Sequence, residues 1–387
     1  MAPHEGLVHP KKYDIKDSNV ELIGSDLDHR VKHNSALTEP AWNNGKVGQE
    51  AGLSIWRIEN FEVVPWPKER AGEFYDGDSY IVLNSVRLGD EEKLRHDIFF
   101  FLGNNTTQDE AGTAAYKTVE LDEFLNGAAT QHREVQDALS EEFTSLFRRI
   151  TIRSGGVASG FTHVEEEKPE EVTTLLRVFK PPRAGRGDSV IVYEVEPTWQ
   201  SLDDDDVFVL DKGQKIWVWQ GKNCSPMEKA KAAQVVNDMT LAKHIDVEVL
   251  SRHESRSKII VDLLGGKDVQ ATTFQAPRPM GQSSRDQESS KLFRLSDASG
   301  ELSFDLVKDG RARKTDFDGN DVFLYDVGSR LWVWQGLGAS QQEKALWIKV
   351  AQAYVRRLQS EAADAYKIPI SKVVQDYESP SFLKVVG

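Results

Sequence analysis

Three stretches of the chain alternate apolar and polar residues at a period of two, and each leads into a segment with helical spacing. The alternating stretches are SYIVLN from Ser79, VFVLD from Val207 and VFLYD from Val322. Such alternation predicts strands with one buried face. A second apolar strand that ends in glycine follows each of them, and then a helical stretch. The pattern predicts a β-hairpin with a helix packed on it, repeated three times.

The three copies share one spacing. Seven positions separate the strand-ending glycine from a glutamate in every copy: Gly103 to Glu110, Gly221 to Glu228 and Gly336 to Glu343. An aspartate that opens the preceding strand lies 22 positions before this glutamate in copies two and three, and 32 before it in copy one. The extra positions lie around VRLGDEEKLRHD, in a hairpin loop, where an insertion has little entropic cost. Ser225 and Ser340 stand three positions before their glutamates, which predicts helices that begin with capping boxes.

The copies divide the chain into three domains, which we call units one, two and three. Acidic VEEEKPEEV and polar QAPRPMGQSSRDQESS have the composition of linkers between them. The predicted fold class is α/β, of the α+β type, with three tandem units. We expect the following boundaries: an N-terminal arm over 1–40, unit one over 41–163, unit two over 173–275 and unit three over 290–387.

Composition is that of an ordinary globular protein, with 39% hydrophobic and 28% charged residues. No apolar run approaches the ~20 residues of a membrane span, and the first residues contain no apolar core of a secretory signal. The single cysteine, Cys224, allows no internal disulfide, so we expect a cytoplasmic protein. The net charge of −14 argues against nucleic-acid binding and suits either a divalent cation or simple solubility.

Paired carboxylates are the candidate chemistry of the repeats. An aspartate that opens a strand and a glutamate that opens a helix, with turn carbonyls beside them, supply the hard oxygen ligands that calcium prefers. Without a cation, such charges would repel each other. The alternative is that the aspartate is a turn residue and the glutamate a helix cap. Recurrence at matched spacing favours calcium for the pairs Asp78 with Glu110, Asp206 with Glu228, and Asp321 with Glu343.

Other site classes find little support in the sequence. DFDGND from Asp316 is not an EF-hand loop, because Asp321 stands where that loop needs glycine. Zinc is disfavoured because Cys224 is alone and the nine histidines show no ligand spacing. The chain has no GxSxG, GxxxxGK[ST] or HExxH motif, so we expect no enzymatic activity.

On these features the chain resembles the gelsolin family, and in particular its three-unit members of the severin and fragmin type. The strings that carry the resemblance are WRIENF, GDSYIVL, FFFLGNNTTQDEAG, LDEFLNG, QHREVQ and GGVASGF, and it extends from about Trp42 onward. It implies units with a mixed sheet between a long and a short helix. It also implies calcium-controlled severing of actin filaments, barbed-end capping and nucleation. Capping without severing, or a phosphoinositide-binding adaptor, are the alternatives.

The resemblance also implies particular site residues. The internal calcium of each unit would be bound by the side chains of Asp78, Glu110, Asp206, Glu228, Asp321 and Glu343 and by the carbonyls of Gly77, Val157, Asp205 and Asn320. A second calcium, shared with actin, would be bound by Asp122, Glu134 and the carbonyls of Gly127 and Ala129. A helix from about Gln108 to Leu125 would offer actin Ala115, Tyr116, Val119 and Phe124, although such residues more often face their own core. Phosphoinositides would meet Arg148, Arg149, Arg153, Arg177, Lys180, Arg183 and Arg186, which are equally typical of a basic exposed surface.

Overall fold

The structure is a computed structural model that describes residues 36–87, 94–157, 173–181, 190–241, 245–277, 290–299, 303–359 and 368–386. In unit one the elements are β1 (Gly52–Glu59), β2 (Glu62–Pro65), β3 (Glu73–Tyr75), β4 (Ser79–Arg87), β5 (Leu94–Leu102), α1 (Gln108–Phe124), β6 (Thr130–Val135), α2 (Glu141–Thr144) and β7 (Ile150–Arg153). In unit two they are β8 (Thr174–Phe179), β9 (Ile191–Val195), β10 (Val207–Asp211), β11 (Lys215–Gln220), α3 (Pro226–Thr240), β12 (Asp246–Ser251) and α4 (Lys258–Leu263). In unit three they are β13 (Lys291–Ser296), β14 (Ser303–Asp309), β15 (Val322–Asp326), β16 (Leu331–Gln335), α5 (Gln341–Gln359), β17 (Ile370–Val374) and α6 (Pro380–Val385). The predicted N-terminal arm, up to residue 35, and most of both linkers lie outside the described residues.

The long helix of each unit begins with a reciprocal cap. The N–H of Glu228 donates to the Ser225 hydroxyl at 3.3 Å, and the Ser225 N–H donates to the Glu228 carboxylate at 2.7 Å. Ser340 and Glu343 exchange the same two bonds at 3.2 and 3.0 Å, so both predicted capping boxes are confirmed. In unit one, Thr107 takes the capping position. Each box fixes the direction in which its glutamate points.

The strand-ending glycine is a packing requirement. The Gly103 N–H donates to the Asp78 carbonyl at 3.0 Å, and equivalent bonds of 3.0 Å join Gly221 to Asp206 and Gly336 to Asp321. A Cβ on Gly103 would lie 2.3 Å from the Asp76 carbonyl oxygen, so a larger residue would force the backbone apart. This close approach brings the end of one strand against the turn that precedes its neighbour.

The two sheets cross the boundaries between the repeats. One has ten strands in the order β14-β13-β15-β16-β17-β6-β5-β4-β1-β2 and therefore contains strands of units one and three. The other has seven in the order β12-β11-β10-β8-β9-β7-β3 and extends unit two with two short strands of unit one. In the first sheet the units join where β17 pairs antiparallel with β6. The end of α1 in unit one is therefore brought to unit three.

Each unit buries an apolar cluster on either face of its sheet, one under the long helix and one under the short helix. In unit one, Ile81 and Phe100 pack with Leu121 of α1, whereas Tyr80 and Phe101 pack with Phe143 of α2. Units two and three repeat this division. This is the expected arrangement of a mixed sheet between a long and a short helix, and it holds the start of each long helix close to the sheet.

Candidate calcium sites

In unit one the structure brings together the four residues predicted to bind calcium: Gly77, Asp78, Glu110 and Val157. Val157 meets Asp78 through its N–H, whereas its carbonyl was predicted to be the ligand. Asp78 is fully buried, and its Oδ1 accepts a hydrogen bond of 2.8 Å from the Val157 N–H, across 79 positions of sequence. Its Oδ2 lies 3.4 Å from the Arg57 guanidinium. Burial raises the pKa of the Asp78 carboxyl, the Val157 N–H and Arg57 oppose this rise, and the charge of Glu110 adds to it. Asp78 and Glu110 are therefore close enough to repel.

Glycines shape the space around Asp78. A Cβ on Gly156 would lie 2.3 Å from Asp78 Oδ1, and the φ of Gly156 is +143°. The Gly77 N–H donates to the Gly155 carbonyl at 2.8 Å. A chain with side chains at these positions would be pushed away from the carboxylate. The backbone after β7 is thus held against the buried aspartate, which it meets through the Val157 N–H.

In unit two the carboxylates already have strong partners. Arg177 is only 1% exposed and donates to Asp206 Oδ2 through its Nε at 2.6 Å. Burial raises the pKa of Asp206 to about 6, against the charge of Arg177, and the negative charges of Asp203 and Glu228 add to the rise. Glu228 accepts from the Lys180 N–H at 2.9 Å. Asp205 is exposed and lies next to this pair in the turn.

In unit three the same pair has a third carboxylate for a neighbour. Glu343 is 1% exposed and accepts from the Asp297 N–H at 2.8 Å. Burial raises the pKa of Glu343; backbone N–H donors oppose this, and the charges of Asp297 and Asp321 add to the rise. The Asp297 carboxylate accepts from the Ser340 hydroxyl at 2.6 Å. Asn320 lies beside Asp321 in the turn, where its carbonyl was predicted to be a ligand.

Each first strand contributes an arginine to its site. The arginine stands 3.4 Å from the aspartate in unit one, 2.5 Å in unit two and 3.9 Å in unit three, in the pairs Arg57 with Asp78, Arg177 with Asp206 and Arg294 with Asp321. The sequence shows the recurring arginine, but its role as the positive partner of the site emerges only from the structure. In unit two it is close enough to compete with a bound cation for the same carboxylate oxygen.

The donor sets suit calcium better than a metal that requires side-chain ligands alone. No group of three or more His, Cys, Asp or Glu side chains in the described ranges is arranged to hold a metal ion. Each unit instead offers two buried carboxylates beside turn carbonyls, which is the mixture of oxygen ligands that calcium accepts. In units one and three the raised pKa values show that the aspartate or glutamate would be stabilised by a positive charge. The residues therefore fit calcium.

In the predicted second calcium site, the ammonium group of a lysine contacts the carboxylate that was expected to bind the metal ion. Asp122 is 4% exposed, and its Oδ2 contacts the Lys372 Nζ at 3.2 Å and accepts from Gln131 at 2.6 Å. The Ala129 N–H donates to its Oδ1 at 2.9 Å, and Gly127 donates to its carbonyl at 2.7 Å. Three of the four predicted residues are thus gathered at the end of α1. In this arrangement they fit a cation only if Lys372 withdraws.

Glu134, the fourth residue of that site, is held elsewhere. Its carboxylate accepts from the Ser140 hydroxyl at 2.6 Å and from the Ser140 N–H at 2.8 Å. Burial raises its pKa, whereas the Ser140 bonds and the charge of Arg330 oppose the rise. Within the described residues, these bonds join Glu134 to Ser140 and not to Asp122.

A second ion pair holds units one and three together. Arg330 donates two hydrogen bonds of 2.8 Å to Glu142 of α2. Burial alone would raise the pKa of Glu142, but the bonds and charge of Arg330 lower it well below its ordinary value. The pair stabilises the folded state above the ordinary carboxyl pKa of about 4.3, and this contribution is lost as the pH falls through the lower folded value. Moderate acidification should therefore leave the pair intact.

The helix expected to meet actin runs over Gln108–Phe124, close to the predicted bounds. Ala115 and Phe124 pack partly against the core of unit one, and Val119 is half-buried. Tyr116 is 46% exposed and, with Phe61 at 62%, lines a surface depression of about 430 Å³. Of the four candidates, Tyr116 therefore offers the most surface to a partner.

Most of the described candidates for phosphoinositide binding are engaged. Arg149 pairs with Asp238 at 2.5 Å and Arg153 with Glu194 at 2.8 Å. Arg177 is buried in the unit-two site, out of reach of a lipid headgroup. Arg148 and Lys180 are exposed, and Arg183 and Arg186 lie outside the described residues. Phosphoinositide binding thus stays a prediction from the resemblance.

Fold and sites together define a protein of three tandem α/β repeats, each with a buried aspartate–glutamate pair at the start of its long helix. The gelsolin-repeat family model matches residues 60–144, 188–259 and 303–383. Gelsolin-like protein 1 of Lumbricus terrestris is 40% identical over 358 residues, with 91% of this chain and 92% of that protein covered. Severin of Echinococcus granulosus is 36% identical over 389 residues, with 98% of each covered. The chain therefore belongs to the gelsolin family, with three repeats.

A solved complex of the Thorarchaeota protein 2DGel3 with rabbit actin matches 54% of this chain and 97% of that chain, at 23% identity and a TM-score of 0.21, which is too low to support an argument. Within the described ranges, every helix is too short or too polar to span a bilayer.

Proposed function

We propose that this protein severs actin filaments and caps their barbed ends under the control of calcium, and that it nucleates new filaments. Relatives named severin and gelsolin support the proposal. The observation that carries it is the dual role of α1. The first turn of this helix contains Glu110 of the candidate calcium site, and its next turns expose Tyr116. We further propose that the protein is not an enzyme, that it acts in the cytoplasm on the actin cytoskeleton, and that its units have the boundaries expected from the sequence.

Calcium would be held in unit one by Asp78, Glu110 and the carbonyls of Gly77 and Val157. When bound, the ion would add positive charge between two buried carboxylates, of which only Asp78 has an arginine beside it in the form of Arg57. The role of the protein residues is to position: Asp78 connects the sheet to the loop after β7, and Glu110 connects the same point to the start of α1. A tighter connection at this point would orient the exposed face of α1 relative to the sheet.

The junction between units one and three supports a role in control. Lys372 of unit three neutralises Asp122 at the far end of α1. Asp122 cannot bind a cation shared with actin and the Lys372 ammonium through the same oxygen at once. We infer that the pairing of β17 with β6 describes a closed state, and that activation separates the two units.

The direct test follows the disassembly of pyrene-labelled actin filaments after addition of the protein, with calcium or with a chelator. We expect rapid disassembly with calcium and little without it. Imaging of filament lengths then separates severing from capping, because severing shortens preformed filaments at once. Absence of any calcium-dependent change in disassembly or length would refute the proposal. Unchanged filament lengths with blocked barbed-end growth would leave capping alone.

Replacing Tyr116 with alanine is expected to weaken binding to actin monomers by about tenfold. Aromatic side chains at the centre of an interface commonly carry about 1–2 kcal/mol or more of the binding free energy. The change removes exposed surface and should leave the fold intact. Sedimentation velocity with labelled actin monomers measures the effect. Tyr377→Ala is the matched control, because Tyr377 is 41% exposed in unit three. Equal affinities of the two variants would move the contact away from this face of α1.

A further inference from the structure

The sheet of unit two ends at a strand, β12, that has a described partner on one side. β12 is the terminal strand of the seven-stranded sheet, and among the described residues only β11 pairs with it. Val247 is 41% exposed and Val249 is 54% exposed, and residues two apart on a strand point to the same face. The intervening Glu248 points to the opposite face. An edge with free backbone groups and apolar side chains is a template for pairing with another strand.

The same strand can be located in all three repeats. Each repeat has an aromatic residue four positions before its strand-ending glycine, and the next strand pairs with it in parallel. The partner of that aromatic residue is His132 on β6, Glu248 on β12 and Ser371 on β17. These three residues therefore hold equivalent positions.

In units one and three the equivalent strands pair with each other. β6 and β17 run antiparallel, and His132 faces Ser371 at the centre of the pairing. The flanking pairs are Gln131 with Lys372 and Arg133 with Ile370, so the position before the centre on one strand meets the position after it on the other. Two copies of the repeat thus meet about a local twofold axis. The repeat can pair with its own equivalent through this strand.

We propose that β12 pairs antiparallel with β12 of a second copy of this chain, with Glu248 at the centre, and so forms a homodimer through unit two. In this register Val247 of one copy faces Val249 of the other, on both sides of the axis. The exposed valines then become cross-strand apolar pairs, which stabilise antiparallel strands. The proposal does not depend on the proposed function.

The charges around Glu248 are compatible with this register. Two glutamates face each other at the centre, which alone would be repulsive. Each Glu248 also contacts Lys215 at 2.7 Å and Arg256 at 2.6 Å. Two positive groups per carboxylate outweigh the repulsion between the carboxylates, and they leave the centre of the dimer with both signs of charge.

The helix beside the edge leaves room for a second copy. In unit three, Ile348 lies five positions after Glu343, the recurring glutamate of the repeat, and packs against the core of unit one. The equivalent residue of unit two, five positions after Glu228, is Ala233, and it is exposed. In unit three this position makes a contact between two units of the chain. The small exposed Ala233 at the same position of unit two would let the α3 helices of two copies approach each other. We expect a weak dimer, with a dissociation constant on the order of 10 µM.

Sedimentation velocity of the full chain, from micromolar to several hundred micromolar, tests the proposal. We expect a shift from monomer to dimer. Val249→Lys should weaken the dimer at least tenfold, because lysine at an edge opposes pairing. Leu306→Lys is the control: Leu306 is 51% exposed on β14, the terminal strand of the other sheet. A monomer at every concentration, a dimer that Val249→Lys does not affect, or a dimer that Leu306→Lys weakens equally would each overturn it.

Disulfide trapping tests the register. In the proposed pairing, Glu248→Cys places two thiols directly opposite each other, within the ~4.5–5.5 Å that separates facing strand positions. Val249→Cys faces a valine and should cross-link several-fold more slowly, whereas the double variant Val247→Cys with Val249→Cys should cross-link as well as Glu248→Cys. The natural Cys224 is buried and does not compete. Cross-linking of Glu248→Cys no faster than that of Leu306→Cys would overturn the proposal.

Discussion

Replacing Glu110 with glutamine is expected to raise the calcium concentration for half-maximal filament disassembly by about 100-fold. Loss of a residue that merely supports a metal ligand costs 10–100-fold in affinity, and loss of a charged ligand should reach the upper end of that range. Glutamine keeps the size of the side chain, so the main change is the lost negative charge beside Asp78. Calcium titrations of pyrene-actin disassembly measure the shift, and calorimetry counts the bound ions.

The matched control is Asp109→Asn. Asp109 is exposed in the same first turn of α1, so its replacement changes the charge at the helix start without touching the candidate site. We expect this variant to keep the natural calcium response within about twofold, since an exposed charge at a helix end contributes little. If Glu110→Gln and Asp109→Asn respond alike, the glutamate is a helix cap and not a calcium ligand.

Replacing Lys372 with methionine is expected to lower the calcium requirement of severing by about tenfold or more. The Lys372 and Asp122 side chains are 7% and 5% exposed, and removal of one partner of a buried ion pair typically costs about 3–5 kcal/mol. This cost falls on the closed state, in which unit three covers the end of α1. The change also frees Asp122 for a cation shared with actin. Calcium titrations of severing give the midpoint, and small-angle scattering reports whether the units separate.

Two further variants separate these causes. Arg330→Met breaks the pair with Glu142 at the same junction but leaves Asp122 untouched, so we expect a smaller fall in the calcium midpoint. Lys308→Met removes a lysine paired within unit three, with Asp316, and should change nothing. If Lys372→Met and Arg330→Met both kept the calcium midpoint of the unchanged protein, the junction between units one and three would not restrain severing. Equal shifts would show that opening alone suffices and that Asp122 adds no cation site.

The sequence by itself determined the repeat, because the repeat is defined by residues that lie close together along the chain. Alternation at period two gave the strands, and glycine followed by glutamate seven positions later gave the turn and the capped helix. These features depend on contacts within about 30 residues and on the steric limits of the backbone. For the same reason the sequence identified each aspartate–glutamate pair as a unit. The resemblance to the gelsolin family, which the comparisons confirmed, added the expected calcium and actin chemistry.

Only the tertiary structure decided how the repeats share their sheets. The pairing of β17 with β6, the lysine on Asp122 and the Val157 N–H on Asp78 join residues that are 79 to 250 positions apart. No local pattern encodes such pairings, since an edge strand carries the same alternation whether it is covered or bare. The choice of neighbour is set by the packing of whole units against one another. Among the described residues, it leaves two equivalent strands paired with each other, and it leaves the third, β12, at the end of its sheet.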